Sequence, residues 1–244
     1  MKPDMAVHQV VLIGRQPVAE GTLAFRFAKP VGFSHRAGQS VLMRLTDPPE
    51  TDAEGDARTF TIASAPCESD LMIATRMRNS AFKRALGNAS PGARVSIDGP
   101  SGELVLHDDA SRPAVMLAGG IGITPFRAMA VQAAHDRCPV RIDLFYSNRR
   151  PEDAAFLTEL QELQHSNPNY RLIATMTEAR TSARSWSGET DFIGPGMLER
   201  YVPYPRAAIY YVAGPPAMTA AMQQMLVALG IDEEAVRSEE FFGY

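Results

Sequence analysis

The apolar residues of this chain change their spacing once, and that change divides the fold. Up to about residue 106 they come in short runs: Val7–Ile13, Leu23–Phe27, Ser40–Leu45, Arg58–Ala63, Leu71–Arg76 and Arg94–Asp98. Gly14, Gly21, Pro30, Gly38, Pro48-Pro49, Pro66, Gly87 and Pro91-Gly92 punctuate the runs. Short strands at this spacing predict a closed barrel or a sandwich. One helical stretch, Ser80–Leu86, interrupts them, with Ser80 as its N-cap.

From Ala114 onward, strands and helices alternate. Ala114–Ala118, Arg141–Tyr146, Tyr170–Met176 and Ala208–Ala213 read as apolar strands. Pro125–His135, Glu152–Gln164, Gly196–Tyr201 and Ala217–Leu229 read as the helices that follow them. That alternation predicts a parallel sheet covered on both faces. Asp108-Asp109-Ala110-Ser111 reads as a linker, so the expected domains are residues 1–108 and 109–244.

Composition excludes several classes. The chain is 45% hydrophobic and 21% charged, as an ordinary globular protein is. No apolar run approaches the roughly 20 residues of a membrane helix, and Met1-Lys2-Pro3-Asp4 does not open a signal peptide. A cytoplasmic protein is the expectation. Cys67 and Cys138 cannot supply the four thiolates an iron–sulfur cluster usually takes. The net charge of −4 argues against nucleic acid as a partner. All of that charge lies in residues 109–244, which hold 12 Lys+Arg and 16 Asp+Glu against 12 and 12 before them. His8, His35, His107, His135 and His165 show no metal-ligand spacing and read as surface or loop residues, so no metal site is expected.

Four motifs carry chemistry. Gly119-Gly120-Ile121-Gly122-Ile123-Thr124-Pro125 follows an apolar strand and opens a helix. There, backbone N–H groups and the helix N-terminus can approach a pyrophosphate. The spacing is Gly-x-Gly-x-x-Pro rather than the Rossmann Gly-x-Gly-x-x-Gly, and Pro125 suits a first helical turn. Ala213-Gly214-Pro215-Pro216-Ala217-Met218 repeats the arrangement after a second strand. Arg58-Thr59-Phe60-Thr61 offers a guanidinium for phosphate, an aromatic for a planar ring and a hydroxyl for a ring nitrogen. Arg76, Arg78, Lys83 and Arg84 gather four cations within nine residues at a strand end and helix start.

The order of these motifs, with Gly99-Pro100-Ser101-Gly102 before the first glycine loop and an aromatic carboxyl terminus, resembles the ferredoxin–NADP⁺ reductase superfamily. The resemblance spans about residue 7 to Tyr244. It implies a six-stranded antiparallel β-barrel that binds FAD, followed by an α/β parallel-sheet nucleotide-binding domain. By that likeness Arg58, Thr59, Phe60 and Thr61 hold the flavin, with Ala74, Thr75 and Arg76 beside its ring. Asn79 and Ser80 lie at the flavin pyrophosphate. Gly120, Gly122, Thr124, Ser147, Asn148 and Arg149 take the nicotinamide nucleotide, and Gly214, Pro215 and Met218 shape the nicotinamide slot. Tyr244 stacks on the isoalloxazine. Two departures stand out: Phe60 replaces the usual tyrosine, and Ala213 replaces a frequent cysteine.

The implied reaction passes hydride from NADH or NADPH to FAD, with Thr61 and Tyr244 at the reacting rings. Thr175-Met176-Thr177-Glu178 lacks the arginine that often marks NADPH preference, which leans the coenzyme toward NADH. Against this, Arg149, Arg150, Arg180 and Arg184 sit in loops within reach of an adenosine ribose. The expected acceptor is a separate carrier, an acidic ferredoxin or flavodoxin docking near Arg76, Arg78, Lys83 and Arg84. The alternatives are a reductase component of an oxygenase system, or an FAD-binding subunit that NAD(P)H does not reduce.

Overall fold

A computed structural model describes residues 7–241. Six strands form one antiparallel sheet in the order β4-β3-β6-β1-β2-β5. They are β1 (Val7–Ala19), β2 (Thr22–Ala28), β3 (Ser40–Leu45), β4 (Ala57–Thr61), β5 (Asp70–Arg76) and β6 (Arg94–Ser101). The two outer strands meet just beyond their ends. Ala63 N–H donates to the Met72 carbonyl at 2.7 Å, and Met72 N–H donates to Ser64 Oγ at 2.9 Å. The barrel interior holds Val10, Leu12, Phe25, Phe27, Val41, Met43, Ile73 and Ile97. Helix α1 (Ala81–Asn88) plugs its end with Phe82 and Leu86.

The second sheet is parallel, in the order β11-β10-β7-β8-β9. Its strands are β7 (Ala114–Gly119), β8 (Ile142–Asn148), β9 (Tyr170–Met176), β10 (Ile209–Gly214) and β11 (Val236–Glu240). Alternate residues of β7 supply two separate cores. Ala114, Met116 and Ala118 face α2 (Ile123–His135), α3 (Leu157–Ser166) and the barrel's Ala24, Ala63 and Met72. Val115 and Leu117 face α4 (Pro195–Tyr201) and α5 (Pro216–Ala228). One apolar layer is therefore shared between the barrel and the parallel sheet.

Three elements depart from the sequence reading. The helix expected over Glu152–Gln164 is a single turn, Pro151–Asp153, followed by α3 from Leu157. Arg150 draws off the Asp153 carboxylate, Tyr146 donates its hydroxyl to the Ala155 carbonyl, and Phe156 turns left-handed at φ 60°. Strand β1 runs through Gly14 to Ala19 by register shifts after Leu12 and Pro17. β11 was not expected, because Val236–Glu240 is polar and half-exposed; parallel pairing with Tyr210–Gly214 makes it a strand.

Candidate active site

The chain path places a cleft where the two sheets meet. β7 runs on to β8 and β9 on one side, while β10 lies on the other side of β7. This is the topological switch point at which open parallel sheets bind ligands. The strand ends there carry the two glycine motifs, and the motifs touch. A Cβ on Gly122 would lie 2.3 Å from the Ala213 carbonyl oxygen, and a Cβ on Gly214 would lie 3.3 Å from the Gly119 nitrogen. Gly120, between Gly119 and Gly122, has φ 54°. Glycine at these positions thus lets the two loops pack backbone against backbone.

Opposite them, the barrel's outer strands supply the other wall. A cleft of about 410 Å³ is lined by Arg58, Thr59, Phe60 and Thr61 of β4, by Ala74, Thr75 and Arg76 of β5, and by Ser80 at the start of α1. Ile121 and Thr124 of the glycine loop also line it. Ser80 caps α1, its hydroxyl accepting the Lys83 N–H at 3.3 Å. Thr124 is buried and donates its hydroxyl to the Ile121 carbonyl at 3.1 Å. Two larger grooves, about 870 and 650 Å³, lie elsewhere and bring together neither glycine loop with β4.

Electrostatics favour an anion at one end of this cleft. Arg58, Arg76, Arg78 and Lys83 line it. Burial pulls the Lys83 ammonium below its ordinary pKa, and the Arg78 and Arg58 charges add to the shift. An acidic loop answers these cations. Arg58 pairs with Asp52 at 2.6 Å and with Glu54 at 2.9 Å, and stacks over the Phe82 ring. The Arg58 bond holds the Asp52 carboxyl below the usual carboxylate range. The walls also fit a ring that offers hydrogen-bond partners. The Thr61 hydroxyl is buried with no partner, and the half-buried Phe60 presents a ring 5.7 Å from that of Phe82.

The remaining residues singled out from the sequence divide. Asn79 does not line the cleft; it accepts a hydrogen bond from Arg84, which also pairs with Glu50 at 2.7 Å. Arg84 is therefore held on the outer side of α1 and is not a free cation. Ser147, Asn148 and Arg149 end β8 beside the glycine loop, with Ser147 in register with Gly119. The Asn148 amide is buried with both polar atoms unpartnered, whereas Arg149 is exposed and pairs with Glu178 at 3.7 Å. Arg150 is tied to Glu20 and Asp153. Tyr244 lies outside the described residues. His35 and His107 lie in loops, as expected, but not at the surface. Both are buried, His35 against the Ser64 carbonyl and His107 against the Tyr211 hydroxyl and the Arg112 carbonyl.

Sequence reasoning missed Glu54, Ile121, Glu239, Glu240 and Phe241, which also line the cleft. The one available signal was the pair of carboxylates just ahead of the terminal aromatics. Burial pushes the Glu239 carboxyl up from 4.5 to about 7.

Comparison with known proteins agrees with this geometry. Residues 116–224 match the family described as Oxidoreductase NAD-binding domain. The glycine betaine monooxygenase reductase subunit of Chromohalobacter salexigens is 28% identical over 223 residues, covering 90% of this chain and 60% of the relative. A subunit of the Na⁺-translocating NADH-quinone reductase of Methylococcus capsulatus is 31% identical over 160 residues, covering 64% of this chain and 39% of the relative. The chain thus spans between 39% and 60% of the length of these relatives. Among solved structures, the cytochrome P450 reductase of Amycolatopsis superposes with a TM-score of 0.80 at 20% identity, covering 97% of this chain and 71% of that one. A ferredoxin NADP⁺ reductase from Neisseria gonorrhoeae with bound FAD and NADP gives 0.78 at 18%, covering 97% and 99%. Residues 116–224 thus carry an oxidoreductase NAD-binding domain, and the whole chain has the two-domain fold of these reductase structures.

Proposed function

We infer that this protein is an NAD(P)H-dependent flavoprotein reductase that delivers electrons to a separate acceptor. The observation that carries the reading is the shared cleft: Arg58–Thr61 and Ala74–Arg76 of the barrel stand across from Ile121 and Thr124 of the glycine loop. In this reading residues 1–108 form the flavin domain and residues 109–244 the nucleotide domain.

Bound FAD supplies the hydride-accepting chemistry, as cofactors do. The protein's part is placement and charge. Arg58 and the α1 N-terminus at Ser80 would hold the pyrophosphate. Phe60 would lie against the ring, and the unpartnered Thr61 hydroxyl would bond to it. Gly120, Gly122, Thr124 and the orphan amide of Asn148 would take the nicotinamide nucleotide, with Gly214, Pro215 and Met218 forming its slot. No side chain is required as acid or base.

NADH is the favoured coenzyme. A 2′-phosphate needs free cations; Arg150 is paired with Asp153 and Glu20, and the end of β9 supplies no arginine, although Arg180 and Arg184 carry no ion pair among the described residues. The acceptor fits an acidic carrier protein docking at Arg76, Arg78 and Lys83. Relatives named as oxygenase reductases favour a second reading, a dedicated reductase component of an oxygenase system. Steady-state oxidation of NADH by ferricyanide, with and without added FAD, tests the enzyme. FAD-loaded protein is expected to turn over and protein stripped of its flavin to be inactive until FAD is restored; no turnover by the FAD-loaded protein contradicts the reading.

A further inference from the structure

One buried cation ties the two walls of the cleft together and has no part in the chemistry above. Arg127 lies on the first turns of α2, directly after the glycine loop, and is 3% exposed. All five of its N–H donors are used. Nη1 donates to the Ala63 carbonyl at 2.8 Å and to Glu68 Oε2 at 2.7 Å, and Nη2 to Glu68 Oε1 at 3.0 Å. Nε donates to Glu159 Oε2 at 3.0 Å, and Nη2 also bonds to Glu159 Oε1. The guanidinium lies 5.2 Å from the ring centroid of Phe156, the left-handed residue before α3.

The two carboxylates belong to different domains. Glu159 is on α3 and shares the nucleotide domain with Arg127. Glu68 lies in the turn between β4 and β5, and its Oε2 accepts the Ala65 N–H at 2.6 Å. Burial opposes the Glu68 carboxylate, yet the Arg127 bonds outweigh it and hold its pKa below the usual range. Beside it, Cys67 N–H donates to Gln132 Oε1 of α2 at 2.9 Å. The β4–β5 turn joins the two strands that carry Arg58–Thr61 and Ala74–Arg76, and Ala63 is two residues past Thr61. Through Arg127, the glycine loop is therefore fixed to the turn that holds both strands of the flavin wall.

We propose that Arg127 is a positioning residue that sets the separation between the nicotinamide loop and the flavin wall. It governs the rate of hydride passage and not the binding of either nucleotide. The inference rests on the reductase reading. The hydride leaves the nicotinamide with its electron pair and is taken up by the flavin, so no further reactant is needed. A misplacement of about 1 Å costs on the order of a hundredfold in such a step. Loosening one anchor should therefore be visible in the rate.

The two glutamates separate positioning from simple stabilisation. Each loses one negative charge from the same cluster as Gln, but only Glu68 crosses between domains. The experiment is rapid-mixing reduction of the FAD-loaded protein by saturating NADH, with FAD affinity and melting temperature measured alongside. Glu68→Gln is expected to slow flavin reduction about tenfold, with the FAD Kd and the KM for NADH changed less than twofold. Glu159→Gln is expected to change the rate less than twofold. Arg127→Lys keeps the charge but not the fork, and should match Glu68→Gln; it gives the same readout if Glu68→Gln does not fold. Equal slowing by both glutamate variants, or slowing by neither, overturns the proposal while leaving the reductase reading intact. A wild-type protein whose bound FAD is not reduced at all overturns that reading, and the proposal with it.

Discussion

On the barrel side the cleft is lined by β4, β5 and the start of α1; on the α/β side it is lined by Ile121, Thr124, Glu239, Glu240 and Phe241, while the two glycine loops pack backbone against backbone. β4 offers a guanidinium, an aromatic ring and a hydroxyl within four residues. The glycine loops offer almost no side chains, because none fits: the space beside Gly122 is filled by the Ala213–Gly214 peptide. A wall made of side chains is tuned residue by residue, and nearby carboxylates such as Asp52 and Glu54 can modulate it. A wall made of close-packed backbone is either intact or displaced. Substitutions should therefore act gradually on the barrel wall and abruptly on the glycine wall.

The largest expected effect is on the backbone wall. Gly122→Ala drives a methyl to 2.3 Å from a carbonyl oxygen that cannot swing aside. It should cost about 2–3 kcal/mol of stability and about a hundredfold in flavin reduction by NADH, read by thermal melting and rapid mixing. A near-normal rate would erase the contrast between the walls. Next, Arg58→Gln removes a charged donor from the proposed pyrophosphate site and should weaken FAD binding about tenfold to a hundredfold. Flavin fluorescence quenching measures this, with melting temperature little changed.

Glu239 sharpens the comparison by pH. Its carboxyl is neutral below about 7 and charged above it. A negative charge in the cleft opposes an anionic nucleotide, so FAD affinity should fall as pH rises through 7, and Glu239→Gln should flatten that profile. Stability follows the same sign. The native group holds its proton more tightly than an unfolded one, so its contribution is fully present below pH 4.5 and lost as pH rises to about 7. The smallest effect is expected at the exposed loop: Asp52→Asn frees Arg58 from a competitor and should tighten FAD about twofold at low salt, with the gain vanishing at high salt.

The architecture was legible because it rests on local signals. Runs such as Val7–Ile13 and Ala114–Ala118 declare their sheets by apolar spacing, and both glycine motifs declare strand-to-helix turns. Arg58–Thr61 could be placed on a barrel strand for the same reason. What was not legible depends on partners far away in sequence. β11 is a polar segment that becomes a strand only because β10 offers an unpaired edge. Arg127 reads as an ordinary helix cation until the fold brings up Glu68, 59 residues before it, and Glu159, 32 residues after it. Arg84 reads as a free docking cation until Glu50 reaches it from the acidic loop. His107 reads as a linker residue until Tyr211 closes over it.

The central claim is that one cleft brings a flavin and a nicotinamide together. Its most direct test is to load the protein with FAD, exclude oxygen, and follow the visible flavin absorbance after rapid mixing with NADH and, separately, NADPH. The account predicts fast bleaching, quicker with NADH than with NADPH. A protein that binds FAD but is bleached by neither coenzyme would contradict it.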